Sequence, residues 1–174
     1  MYICLNCGYK GPNILGIWRE DKLICRNCRN CPNTTEEVQS ELIEVDDCVA
    51  DIIITLNRNG YKTLHSCEGH MYNNKTVTVD EGYISIEDMN TDLSDELSFL
   101  PDAIGKYKIL YELAFGPRNI LDRTFVNKFV LRFVRDDCDK ISFWDFQKDK
   151  VQFFEELEII IDQNRKTYGK SKGL

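Results

Sequence analysis

The chain has 174 residues, of which 43% are hydrophobic and 29% charged, with a formal net charge of −7 and eight cysteines. These values exclude an intrinsically disordered chain, and no apolar run approaches the roughly 20 residues of a membrane-spanning helix. The length suits one ordinary core plus a small module stabilised by a metal.

The charge is unevenly placed. Residues 1–33 carry five basic side chains (Lys10, Arg19, Lys22, Arg26, Arg29) against Glu20 and Asp21, so the segment is +3 and the remainder −10. An acidic body disfavours sequence-independent nucleic-acid binding, in which phosphate neutralisation supplies most of the free energy. It favours a protein or nucleoprotein partner with a basic surface. The start Met1-Tyr2-Ile3-Cys4 lacks the basic and apolar regions of a signal peptide, so the expected compartment is the cytoplasm. In a reducing compartment, paired Cys-x2-Cys spacings indicate thiolate metal ligands rather than disulfides.

In chain order, residues 1–33 resemble the zinc-ribbon class, with Cys4, Cys7, Cys25 and Cys28 as the predicted ligands and zinc as the metal. Cys4-Leu5-Asn6-Cys7-Gly8 has the form of a zinc knuckle, in which the glycine permits the tight turn that points backbone amides at sulfur. Residues 14–19 and Lys22–Cys25 are expected as two short strands. Cys31 extends the second pair and offers Cys28 with Cys31 as an alternative register.

From Thr34 to Gly60 the spacing of Val38, Leu42, Val45, Val49, Ile52 and Leu56 predicts a long amphipathic helix. Thr34 and Glu37 form a candidate capping box, Asp46-Asp47 a candidate second start, and Gly60 sits at the C′ position. Strands are then expected at Lys62–Ser66, at residues 76–79 and 83–87 around a hairpin turn at Asp80-Glu81-Gly82, and at Tyr107–Leu113 and Asn127–Val134. The acidic stretch 87–96 reads as a solvated loop or short helix. Ser142–Arg165 reads as a helix that buries Phe146, Phe153, Phe154, Leu157, Ile160 and Ile161. Strands grouped between helices predict an α+β fold: a small zinc ribbon (1–33) followed by a two-layer helix and antiparallel-sheet sandwich (34–174).

Both histidines lie beside a cysteine in Thr63-Leu64-His65-Ser66-Cys67-Glu68-Gly69-His70. Three readings compete for this loop. His65, Cys67 and His70 can supply three metal ligands with one position open. Cys67 can be a nucleophile activated by a histidine, which makes Cys67 and His70 the catalytic candidates of an enzyme. The third reading is a structural turn. Thr63, His65, Ser66, Cys67, Gly69 and His70 are the ligand-binding candidates.

Thr63, Ser66, Cys67 and Gly69 also resemble the Thr-x-x-Ser-Cys-Ser-Gly-Arg neighbourhood of the wybutosine-synthesis methyltransferase family, with Glu68 and His70 at its second serine and arginine positions. That resemblance implies S-adenosylmethionine-dependent chemistry on a guanosine of tRNA, hence an RNA or small nucleotide-like ligand. The loop is similar, too, to one found in small uncharacterised bacterial and phage proteins. No phosphate-cradling Gly-x4-Gly-Lys or dinucleotide Gly-x-Gly-x-x-Gly motif occurs. The leading expectation is a non-enzymatic zinc-binding interaction protein, a regulator or inhibitor that meets a basic partner surface. The alternatives are a nucleotide-directed enzyme or a small-ligand sponge using the Ser66–His70 loop.

Overall fold

The structure, a computed structural model, describes residues 1–13, 16–19, 22–29, 42–72, 78–79, 81–87, 97–118, 124–137 and 141–168. Its main sheet follows from period-two alternation of apolar side chains. Strands β9 (Gly82–Glu87), β11 (Tyr107–Pro117) and β12 (Phe125–Arg135) bury Ile84 and Ile86, Tyr107 and Ile109, and Phe129, Leu131 and Phe133. Cross-strand pairing sets Ile109 opposite Phe133, Leu131 opposite Ile84 and Phe129 opposite Ile86, so one continuous face is apolar. With β10 (Ala103–Ile104) and β6 (Thr63–Cys67) the strand order is β10-β11-β12-β9-β6, antiparallel throughout.

Two helices cover this face. Helix α2 (Ala50–Arg58) contributes Ile52, Ile53 and Leu56, and α3 (Phe143–Tyr168) contributes Phe153, Phe154, Leu157 and Ile161. The Phe133 ring lies 5.1 Å from that of Phe153 and 5.5 Å from that of Phe154. Helix α3 buries the face expected of it, with Ile160 only partly covered. Its start is fixed by Ser142, whose Oγ accepts from the Asp145 N–H at 3.2 Å while its own hydroxyl donates to the Asp145 carboxylate. Helix α2 ends in a Schellman turn: Gly60 N–H donates to Asn57 O and Tyr61 N–H to Leu56 O, with Gly60 at φ +89°. The fold is α+β, a sheet layered against helices, and no helix among the described residues is long and apolar enough to cross a membrane.

The continuous helix expected from Thr34 to Gly60 is corrected. Leu42–Glu44 is a strand, β5, that pairs antiparallel with β1 (Tyr2–Cys4), and among the described residues of this stretch helical structure begins in a 3-10 segment at Asp47–Val49 leading into α2, at the second start expected from Asp46-Asp47. The backbone groups of β1 supply 42–44 with partners, and this pairing overrides a helical spacing that short apolar segments share with strands. Thr34, Glu37, Val38, Cys31 and the 33/34 boundary lie outside the described residues. The hairpin expected around residues 80–82 is also corrected, because β8 (Thr78–Val79) pairs with β7 (Met71–Tyr72) whereas β9 joins the main sheet between β12 and β6.

The N-terminal module is built from β1, β2 (Lys10–Gly11), β3 (Gly16–Arg19), β4 (Lys22–Cys25) and the single turn α1 (Arg26–Arg29). Strand β1 works on two fronts by alternation. Ile3 enters the main core, while Cys4 enters a second cluster with Leu23, Cys25, Cys28 and Leu42. A Lys10–Asp51 ion pair adds a further tie to α2.

Candidate metal centres

Four sulfurs meet where the knuckle faces the end of β4. The reactive atoms of Cys4, Cys7, Cys25 and Cys28 all lie within 4.8 Å of one another, with Sγ–Sγ separations of 3.3 Å for Cys4–Cys28 and 3.8 Å for Cys7–Cys25. A disulfide requires about 2.05 Å. Corners of a tetrahedron with metal–sulfur bonds of about 2.3 Å are roughly 3.8 Å apart, so the cage has metal-site dimensions.

Its local fold follows from the knuckle: Gly8 takes φ +74°, its N–H donates to Cys4 O at 2.8 Å, and Cys4 N–H donates to Tyr9 O at 2.9 Å. Asn6 Nδ2 donates to Cys28 Sγ at 3.4 Å, the kind of outer contact that steadies a thiolate. Burial pushes the Cys4 thiol up, opposed in part by the Cys7 N–H, and burial raises Cys7 as well. A divalent cation reverses that balance by stabilising the thiolates directly. All four cysteines expected as ligands are therefore brought together, and the all-sulfur set suits zinc or iron.

The central loop assembles differently from the expected His65, Cys67 and His70. Cys67 and His70 do converge, but the third member of the group is Asp46, from the turn between β5 and the 3-10 segment. His65 stays in strand β6 opposite Ser85 and lines a separate cavity of about 220 Å³ with Ile43, Glu44, Ile53, Ser66 and Tyr83. The reason is local: a register irregularity lies between Thr63 and His65, and β6 ends at Cys67, where the chain curls away through Gly69 at φ +79°. Thr63 serves the scaffold, its hydroxyl oxygen accepting from Asn57 Nδ2 at 2.6 Å.

Hydrogen bonds hold the curl from several sides. Gly69 N–H donates to Cys67 Sγ at 3.4 Å, and Glu68 N–H donates to Asp46 Oδ2 at 3.1 Å, an oxygen that also lies 3.6 Å from His70 Nε2. Beneath the loop, Lys150 of α3 is 1% exposed and donates to Glu68 Oε1 at 2.5 Å and to Gly69 O at 3.3 Å. The other Glu68 oxygen accepts the Cys48 N–H at 3.0 Å. Burial raises the Glu68 carboxyl, but the Lys150 and Cys48 donors outweigh it and hold the group below its ordinary value.

The surroundings of the cysteines here disfavour the thiolate. Burial pushes the Cys67 thiol up, and Asp46 and Glu68 add to the rise against the Gly69 N–H. Burial and Glu68 push the Cys48 thiol up to about 12. Raised thiols are protonated at neutral pH and react slowly.

Asp46, Cys48 and Lys150 were not among the residues expected here. Only Lys150 left a sequence signal, as a lysine four residues after Phe146 and three before Phe153 on the apolar stripe of α3. No protein-family model, no curated protein and no solved structure matches the chain.

Proposed function

We propose that this chain is a zinc-binding interaction protein that regulates or inhibits a partner by occupying a basic surface. The observation that carries this reading is a cavity of about 590 Å³ between β5, the 3-10 segment and the β6–β7 loop, with Glu44, Asp46, Asp47 and Glu68 in its lining beside Ser66, of which Asp47 is paired with the Met1 ammonium at 3.2 Å and Glu68 with Lys150, so that the four carboxylates outnumber the two cations. A concave site of this size accepts a side chain or small ligand, and its sign selects a lysine or arginine over a phosphate. The zinc ribbon acts as a structural clip that fixes β1, and through it β5, against the body. The nucleotide-directed enzyme reading has less support, because the carboxylates repel phosphate and the Cys67 thiol is raised rather than activated.

The test is capture of partners on immobilised protein, comparing wild type with Glu44→Lys/Asp47→Lys and with a charge-reversal control on exposed α3, Glu155→Lys. The expected result is a partner held by wild type and control in a salt-sensitive manner and released by the double reversal. Equal retention by the double reversal, or no partner on the wild type, refutes the reading.

A further inference from the structure

We propose that Asp46, Cys67 and His70 form a second metal site, one that takes a single zinc-like divalent cation through three protein ligands and leaves a coordination position open. This site is distinct from the four-cysteine cage and shares Asp46 with the acidic cavity of the interaction reading.

The donor set is the first argument. One carboxylate, one thiol and one imidazole place their ligating atoms within 4.8 Å of one another. Zinc accepts oxygen, sulfur and nitrogen with bonds of about 2.0–2.3 Å, so neighbouring ligands of a tetrahedral ion stand roughly 3.3–3.8 Å apart. The Asp46 Oδ2 to His70 Nε2 separation of 3.6 Å already has that value. A cation that prefers oxygen alone, such as magnesium or calcium, does not suit a thiol and an imidazole.

The second argument is that the ligands are held by a built framework rather than gathered on a loose surface. Asp46 is oriented by the Glu68 N–H, and Cys67 by the Gly69 N–H. The intervening residues are pinned from below by Lys150, whose buried ammonium reaches both the Glu68 carboxylate and the Gly69 carbonyl. Outer contacts of this kind set the orientation of metal ligands. Gly69 supplies the left-handed turn that brings His70 back over Cys67, a conformation in which a side-chain-bearing residue is strained.

The third argument concerns access. The side chains of Asp46 and His70 are 35% and 39% exposed, so solvent reaches the group. Three protein ligands with solvent at the fourth corner is the arrangement of zinc sites that exchange a water or bind a further donor, in contrast with closed four-ligand structural sites. A donor from a bound partner or small molecule, such as an imidazole, carboxylate or thiolate, would take that corner.

Native mass spectrometry during zinc titration of the full chain tests the assignment. The expected count is two zinc ions per wild-type chain, falling to one in His70→Gln and in Cys67→Ser. His70→Gln carries the decision, because its side chain is partly exposed and its replacement leaves the backbone hydrogen bonds of the loop in place. A wild-type chain that saturates at one ion overturns the proposal. So does a second ion that survives His70→Gln, since it must then be held elsewhere, for instance near Cys31. Cobalt substitution gives an independent reading: a thiolate-to-cobalt absorption component lost in Cys67→Ser, with the four-cysteine component retained, supports the site, and spectra identical in the two proteins reject it.

Discussion

The two cysteine-containing centres differ in how the chain brings them together. The N-terminal cage draws on two pairs 18 residues apart, one at the end of β1 and the turn after it and one where β4 passes into α1, and three of its four sulfurs belong to buried residues. The Asp46, Cys67 and His70 group draws on a turn and a loop 21 residues apart, is half exposed, and depends on a lysine from α3, 82 residues beyond Glu68. In the first, short sequence spacing brings the four sulfurs together. In the second, the polypeptide organises the ligands, and it does so with buried charge.

That contrast can be broken at its strong end first. Cys25→Ser removes a ligand from the cage, whose metal contributes about 10–16 kcal/mol in comparable zinc peptides, as much as or more than the roughly 5–15 kcal/mol by which a domain is stable. The expected outcome is loss of one zinc by metal analysis together with a large fall in melting temperature; unchanged metal content would remove the cage from the comparison.

Next comes the support of the loop. Lys150→Met leaves the Glu68 carboxylate, 15% exposed at its side chain, without its cation, at a cost of about 3–5 kcal/mol in chemical denaturation. Lys150→Met combined with Glu68→Gln removes both charges and should recover most of that loss. If the double variant is no better than the single, the lysine acts through its packing on Phe146, 5.6 Å from its ammonium, and not through charge.

The smallest effect is in pH. The Glu68 carboxyl is held below its ordinary value of 4.5, so its contribution to stability is complete above that pH and fades as acid takes the medium below it, through the folded-state value. Melting temperatures recorded downward from pH 6 should therefore fall more steeply for wild type than for the Lys150→Met/Glu68→Gln protein. Some slope should remain in the variant. Glu87, held down first by Lys62 and then by Arg118, titrates with the same sign, as does Asp137 beside Arg135. Identical slopes in the two proteins would mean that Glu68 is not anchored as described.

Legibility from sequence divides along the same line. The cage could be read because thiolate ligands held in tight turns recur at fixed short spacings, and Cys4-x2-Cys7 with Cys25-x2-Cys28 does so. Gly60 and the apolar stripe of α3 could be read for a similar reason, since helix ends and helix faces are local properties. Leu42–Glu44 carries a helical spacing yet forms a strand because its partner is β1, some 40 residues earlier, and no local pattern encodes that pairing. Asp46 escaped for a related cause: as a candidate helix cap it looked locally employed, yet its carboxylate accepts from Glu68, 22 residues away. The pairing of residues 78–79 with 71–72 rather than 82–87 shows that alternation identifies strands without identifying neighbours.

The alternation of Ile3 and Cys4 on β1 has a thermodynamic reach beyond the four-cysteine cage. With adjacent residues fully buried in two different clusters, that strand cannot leave one without disturbing the other. Mass action then applies to the molecule as a unit: an ion that binds only the folded form adds stability as RT ln(1 + [M]/Kd). Free zinc in the surrounding medium would set the proportion of chains folded at a given temperature, and a chelator would act at a distance on a hydrophobic core that contains no metal ligand.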